Sequence, residues 1–267
     1  MAKVNIGLWL DDLGIGLKDG LRLAASWHVE AIGLDAFGPE LDPRALSASG
    51  RRELARLVRN TGASPTAVRA DVGGRRLADP ATLDVALGRI RHAFELARDL
   101  GVLRVVVPLG YVPPANDGGH ERTHASLREA LYGLASLSQE SGVRPAALAG
   151  GEPPADLQAI LNSVDSAGLI EVDLNPGALL ARGEDPLEGL NVFSGRLGQA
   201  TAADHYRGGS EAPFGKGDVP WSELLVALST LSQPLALLTG CSRECNRTQA
   251  LHTSLQSLKQ LRSNPFS

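Results

Sequence analysis

Eight short, almost continuously apolar segments recur along the 267-residue chain, and each is followed by a stretch with helical features. Such segments are typical of strands that are covered on both sides by helices. A strand–helix unit repeated in this way occupies roughly 33 residues, close to the length of one β–α–β step. We therefore predict an α/β fold with one domain over residues 1–267, closed into a (β/α)8 barrel. The predicted strands are Val4–Leu10, Val29–Phe37, Ser64–Val72, Leu103–Gly110, Val143–Gly151, Leu169–Gly177, Arg196–Asp204 and Pro234–Gly240.

An open, doubly wound parallel sheet is the alternative architecture. Such a sheet often carries a Gly-x-Gly-x-x-Gly phosphate-binding loop after its first strand. Gly14 and Gly16 follow the first predicted strand here, but the third glycine is missing. The chain also lacks a Walker loop, a flavin or nicotinamide fingerprint and a Gly-x-Ser-x-Gly nucleophile turn. We therefore prefer the closed barrel and predict no cofactor.

Helices are indicated by apolar positions that recur every 3.6 residues. Such stripes begin at Leu83, Leu127, Trp221 and Leu251. Asp followed by Pro favours a helix start, because the carboxylate caps free N–H groups and proline has none to lose. This pair occurs at Asp42, Asp79 and Asp185, and we predict a helix start at each.

Composition narrows the possible partners and location. The net charge is −4 and the pI is near 5.9, so no long-range attraction favours nucleic acid or an anionic membrane. No apolar run approaches the ~20 residues of a membrane helix. Cys241 and Cys245 are too few for a disulfide framework. We expect a cytoplasmic protein with no nucleic-acid or membrane partner, and no leftover apolar patch predicts an oligomeric state.

Polar residues cluster where the predicted strands end, at the edge where parallel strands converge on one mouth. Within the sixth predicted strand, Glu171, Asp173 and Asn175 share one face, and Arg69 is the nearest cation expected to pair with them. The cluster forms either an Asp–Arg network that shapes the mouth or a set of direct ligand contacts. The candidate ligand-binding residues are Asp11, Asp35, Arg69, Asp71, Glu152, Asp173, Asn175, Asp204 and His205. Asp12, Tyr111 and Thr239 are further strand-end residues.

Two long loops leave the carboxyl ends of predicted strands. They are Val112–His120 and the glycine-rich segment His205–Asp218. Both are placed to overhang the mouth as lids, and the alternative is that they are flexible surface loops.

The segment Ala212–Trp221 resembles the Gly-x-Gly-Asp-hydrophobic-x-Trp signature of the xylose isomerase-like TIM barrels, the sugar phosphate isomerase/epimerase group. Four further stretches also fit this family in order and spacing. They are Ile6-Gly7-Leu8, Ala31–Asp35, Val105–Gly110 and Asp173–Gly177. The resemblance spans essentially the whole chain.

The resemblance implies a divalent metal in the mouth, with a Glu ending strand five, an Asp ending strand six, a His in strand seven and a Glu ending strand eight. The chain departs from this pattern at all four places. It has Leu148 or Ala149, then Asn175, then Gln199 or Thr201, and finally Thr239 or Leu238. Because these residues bring no negative charge, we predict no metal at the mouth.

Three functions are compatible with these observations. The first is a degenerate relative that binds a small polar, sugar-like ligand or serves as a scaffold for a partner protein. The second is an active isomerase or epimerase with displaced metal ligands at Glu152, Asp173, Asp204 and His205. The third is a metal-free acid–base enzyme that uses Asp35, Arg69, Asp71 and the Asp204–His205 pair.

Overall fold

The predicted closed barrel is confirmed. The structure, a computed structural model, describes residues 3–73, 77–110, 120–149, 152–165, 167–240 and 246–265. Eight parallel strands close in the order β1-β8-β7-β6-β5-β4-β3-β2. They are β1 (Val4–Trp9), β2 (Ala31–Asp35), β3 (Ser64–Arg69), β4 (Arg104–Pro108), β5 (Arg144–Ala149), β6 (Glu171–Leu174), β7 (Leu197–Ala202) and β8 (Leu235–Thr239).

Helices surround the barrel and connect successive strands. Within the described residues they are α1 (Leu17–Ser26), α2 (Ala48–Arg59), α3 (Leu83–Leu100), α4 (His120–Ser141), α5 (Pro154–Val164), α6 (Pro176–Ala181), α7 (Pro186–Phe193), α8 (Trp221–Ser229) and α9 (Arg247–Ser263). The four apolar stripes found in the sequence lie on α3, α4, α8 and α9. No helix in this part of the chain is long and apolar enough to cross a bilayer.

Only one of the three Asp-Pro pairs starts a helix. Asp185 caps α7 by accepting a hydrogen bond from the Leu187 N–H at 2.8 Å. Asp42 and Asp79 accept similar bonds from the N–H groups of Arg44 and Ala81, but each of them starts a turn and not a helix. The prediction of helix starts at Asp42 and Asp79 was therefore wrong in position, because the helices that follow these turns, α2 and α3, begin later, at Ala48 and Leu83.

The alternation of side chains along each strand separates two apolar cores. The larger core lies between the strands and the helices. The smaller one fills the barrel interior with Trp9, Val106, Leu238 and several alanines, and Leu148 packs against it. The interior is thus closed by side chains in the middle, and polar groups lie towards both ends.

The sixth strand is shorter than the predicted segment Leu169–Gly177. It ends at Leu174, and the Asn175 side chain accepts a hydrogen bond from the Ala178 N–H at 3.0 Å. Pro176 then occupies the first turn of α6. Asn175 is therefore a helix cap that immediately follows the strand, not a residue within it.

Candidate ligand-binding site in the barrel mouth

A cavity of about 580 Å³ opens at the carboxyl ends of the strands. Its size lies in the range usual for small-molecule sites. Polar and small residues of β3, of β7, of α6 and of the segments that follow β1, β6, β7 and β8 line it. They are Asp12, Arg69, Asn175, Ala181, Thr201, Ala203, His205, Gly209, Ser210, Glu211 and Gly240.

Arg69 is the central cation of this site. Its Nε donates to Asp35 Oδ1 at 2.6 Å, and its Nη2 donates to Asp35 Oδ2 and Asp12 Oδ1, each at 2.7 Å. Burial disfavours the charge on Arg69, but the two carboxylates outweigh it and hold the pKa of the guanidinium above its ordinary value. The predicted Asp–Arg network is present, although its acids are Asp12 and Asp35 and not Asp173. No described group accepts a hydrogen bond from Nη1 of this cavity-lining arginine.

Trp9 supports the guanidinium from one side. The Arg69 Cζ lies 4.6 Å from the centroid of the indole ring, within the range of a cation–π contact. The indole needs space inside the barrel, and Gly33 on the neighbouring strand supplies it. A Cβ at position 33 would clash with the Trp9 ring. The indole and the two carboxylates together hold Arg69 in one position.

Asp11 belongs to the same network but does not line the cavity. Its Oδ2 accepts a hydrogen bond from the Asp35 N–H at 2.9 Å. Burial raises the pKa of Asp11 to about 6, although that hydrogen bond acts in the opposite direction. Asp11 therefore ties the loop after β1 to the end of β2 and is partly protonated in mildly acidic solution.

Asp173 lies beneath the cavity and is fully buried. The Thr201 hydroxyl, which lines the cavity, donates to its carboxylate at 3.1 Å, and Gln199 Nε2 donates at the same distance. Burial raises the pKa of Asp173 to about 7, with these two hydrogen bonds acting against it. Thr201 thus connects the cavity with a carboxyl group that changes its charge near neutral pH.

Asp204 organises the loop over the mouth. Its carboxylate accepts hydrogen bonds from the N–H groups of His205, Gly215, Gly217 and Val219 at 2.8–3.4 Å. Gly215, Gly217 and Val219 belong to the segment that matched the family signature, so the Asp204 carboxylate explains why the segment contains glycines. A Cβ at Gly217 would clash with that carboxylate. The arrangement gives Asp204 a structural role.

His205 reaches the cavity from the same loop. Asp204–His205 and Glu211–Ala212 form a short antiparallel hairpin, and His205, Gly209, Ser210 and Glu211 contribute to the cavity wall. Nδ1 of His205 is buried and has no hydrogen-bond partner among the described residues. A Cβ at Gly177 would meet this atom at 2.5 Å, so a glycine at 177 leaves room for the imidazole.

The remaining candidates lie away from the cavity wall or outside the described residues. Asp71 is exposed and accepts a hydrogen bond from the Gly73 N–H within a turn. Glu152 is buried at the start of the α5 region and is not among the lining residues. Tyr111, the loop before His120, Cys241 and Cys245 lie outside the described residues.

Sequence reasoning missed part of the site. Asp12 was noted only as a strand-end residue, Ser210 was considered only as part of a flexible glycine-rich loop or phosphate cradle at Gly208-Gly209-Ser210, and Glu211 was not selected. Asp12 follows Asp11 in a short 3-10 helix, which turns the two acids in different directions. The sequence feature that could have identified Ser210 and Glu211 as lining residues is their position in a glycine-rich loop after the seventh strand.

The barrel has counterparts among known proteins. Residues 21–261 match the family described as xylose isomerase-like TIM barrel. The chain belongs to this family. No curated protein sequence matches the chain.

Solved structures share the fold at low sequence identity. A xylose isomerase domain protein from Planctomyces limnophilus superposes with a TM-score of 0.83, at 18% identity and 98% coverage of both chains. A 3-keto-D-glucoside 4-epimerase from E. coli gives a TM-score of 0.75 at 16% identity, covering 97% of this chain and 100% of the other. A xylose isomerase-like TIM barrel protein from Mycobacterium smegmatis, solved in complex with magnesium, gives 0.76 at 13% identity with full coverage of both.

The strand register assigns a face to each position that the resemblance links with the metal. On β5, Leu148 packs against the interior cluster, while Ala149 belongs to the outer core. On β8, Leu238 is interior, and alternation turns the neighbouring Thr239 outwards. Asn175 and Thr201 line the cavity. The interior positions are therefore Leu148, Asn175, Thr201 and Leu238.

These four residues do not fit a divalent cation. Leucine has no donor atom, the Asn175 oxygen is used in capping α6, and the Thr201 hydroxyl is bonded to Asp173. Among the residues that the structure describes, no group of three His, Cys, Asp or Glu side chains is arranged to hold a metal. Arg69 already provides a cation at the cavity wall.

Proposed function

We propose that the protein is a xylose isomerase-like barrel that binds a small polar, sugar-like ligand in its mouth without a divalent metal and without the isomerase chemistry that such a metal supports. The observation that carries this proposal is the presence of Leu148, Asn175, Thr201 and Leu238 at the four positions where the resemblance implies three anionic ligands and one imidazole. A magnesium or manganese site relies on oxygen ligands with negative charge.

The cavity wall suits a ligand rich in hydroxyl groups. Arg69 offers N–H donors, Asp12 offers carboxylate oxygens, and the Thr201 hydroxyl, whose proton is donated to Asp173, can accept. Each hydroxyl of a sugar likewise donates and accepts, so such a ligand can satisfy this mixed set. Epimerases of the same fold have been solved with sugars, among them a D-psicose 3-epimerase with D-tagatose.

The alternative is an active isomerase or epimerase with metal ligands displaced to Glu152, Asp173, Asp204 and His205. Asp204 argues against it, because its carboxylate would have to give up four backbone N–H groups. Asp173 would have to leave Thr201 and Gln199. A buried acceptor that loses such partners costs about 1–3 kcal/mol for each group left unsatisfied.

A ketose panel tests the two functions against each other. The purified protein is titrated with ketohexoses by calorimetry in EDTA, and proton exchange at the α-carbon is followed by NMR in D2O with added Mn²⁺. We expect binding in EDTA and no exchange. Binding should weaken in Thr201→Val and persist in Thr230→Val, whose hydroxyl lies on the exposed end of α8. Metal-dependent exchange would favour the active enzyme.

A further inference from the structure

A second polar cavity lies at the opposite, amino-terminal end of the barrel and has a volume of about 360 Å³. It shares no lining residue with the mouth. Three arginines and one carboxylate line it: Arg104, Arg144, Arg196 and Glu171. The described lining therefore has an excess of positive charge, in a protein whose net charge is −4.

The Arg104–Glu171 pair is built into the strands. Arg104 Nε donates to Glu171 Oε2 at 2.5 Å, and both side chains are largely buried. Gly198 on β7 is the residue skipped in the register with β6, where Val172 pairs with Leu197 and Asp173 with Gln199. A Cβ at position 198 would clash with the Glu171 carboxylate. The glycine bulge thus leaves room for the pair and fixes the Arg104 guanidinium in place.

Arg104 and Arg144 have hydrogen-bond donors in excess of their partners. An arginine has five N–H donors, and Arg104 uses only Nε within the described chain. Arg144 donates through Nη1 to Gly168 O at 3.0 Å, and its Nε is 3.7 Å from Glu171 Oε1. Neither Nη of Arg104 nor Nη2 of Arg144 donates to a described group.

Arg196 differs, because its Nη donors are already engaged. Its two Nη atoms donate to Asp165, to the carbonyl of Ile170 and to Asn162. Its charge is paired with the buried Asp165 carboxylate at 2.7 Å, so it has no free Nη donors for a ligand. The site for a ligand is therefore defined by Arg104 and Arg144.

These two arginines are direct neighbours across β4 and β5, where their Cα positions pair in register. Like charges in facing strand positions destabilise a sheet unless an opposite charge compensates them. Glu171 compensates one of the two. An anion between the free Nη groups would compensate the second charge. The planar guanidinium groups match the geometry of a carboxylate or a phosphate.

We propose that the amino-terminal cavity binds a small oxyanion, of the phosphate or carboxylate class, between Arg104 and Arg144. The site is independent of the mouth and of any sugar bound there. Its 360 Å³ volume accommodates an oxyanion that carries an organic substituent.

Anion titrations of the full-length protein test this proposal. Inorganic phosphate and malonate are titrated separately at constant ionic strength, with chloride as the balancing anion, and binding is followed by calorimetry and by the melting temperature. We expect a saturable response to at least one of them, and the tighter of the two identifies the class. Arg144→Gln, at a half-exposed side chain, should weaken binding at least tenfold. Arg22→Gln, an exposed arginine paired with Asp19, should leave it unchanged.

A double variant separates binding from folding. Arg104→Gln combined with Glu171→Gln removes both charges of the pair, so no buried charge is left alone. It should lose the anion response while a ketose in the mouth still binds. No saturable response beyond that to chloride, or an unchanged response in Arg144→Gln, would overturn the proposal.

Discussion

At the scale of single residues, Arg69 has the largest expected effect on stability. Arg69→Gln would leave Asp12 and Asp35 as neighbouring carboxylates without their cation. Removing one partner of a buried ion pair costs about 3–5 kcal/mol. We expect the free energy of unfolding in urea at pH 7 to fall by about 3 kcal/mol. Arg22→Gln is the control, since exposed pairs contribute at most about 1 kcal/mol.

Asp173 gives a prediction about pH. Its pKa rises from 3.8 to about 7 on folding, so the folded protein retains a proton that the unfolded chain releases. The associated stability is present below pH 4 and is lost as the pH rises to 7, a change on the order of 4 kcal/mol. Asp173→Asn has no such proton. Between pH 5 and 8 the free energy of unfolding should therefore fall more steeply with pH in the parent protein than in Asp173→Asn. Equal slopes in the two proteins would contradict a raised pKa of Asp173.

The sequence could predict which residues meet at the mouth, but it predicted less well which of these residues form hydrogen bonds or ion pairs with each other. The strand-end rule found Asp35, Arg69 and Asn175 because all strands run in the same direction. Pairing depends on height along the barrel, which the register determines. Asp173 is fully buried and bonds to Thr201 and Gln199 instead of Arg69. No local pattern encodes that height.

At the scale of elements, the loop over the mouth depends on Asp204. Asp204→Ala removes the acceptor for the N–H groups of Gly215, Gly217 and Val219. We expect this loop to open, and trypsin to cleave after Arg207 and Lys216 at least tenfold faster than in the parent. Asp218→Ala removes a single bond on the same loop, to the Arg207 N–H, and should have a smaller effect. Equal cleavage of both variants would show that Asp204 does not hold the loop.

Strands were easier to predict than short helices. The apolar runs located all eight barrel strands, since burial on both sides requires apolar residues throughout. Helix α6 was missed because it has six residues and its start lies inside an apolar run. Asn175-Pro176 is nevertheless a helix-start signal. The turns at Asp42 and Asp79 show the converse case, in which a similar signal forms a turn and the helix begins four or more residues later, at Ala48 and Leu83.

At the scale of the whole molecule, closure of the barrel brings two arginine sites to opposite ends of one interior. Small residues and Trp9 fill the space between them. The eightfold repeat was enough to predict this closure. The identity of the mouth ligand was not predictable, because it depends on side chains from several loops that no sequence spacing relates.

We propose that the mouth is organised around Arg69 and that the residues described there do not hold a divalent metal. Calorimetric titration of the EDTA-treated, dialysed protein with Mn²⁺ at pH 7.5 tests this claim most directly. We expect no saturable binding at micromolar concentrations, in the parent or in Thr201→Val. A single site with micromolar affinity that disappears in Asp173→Asn would contradict the claim.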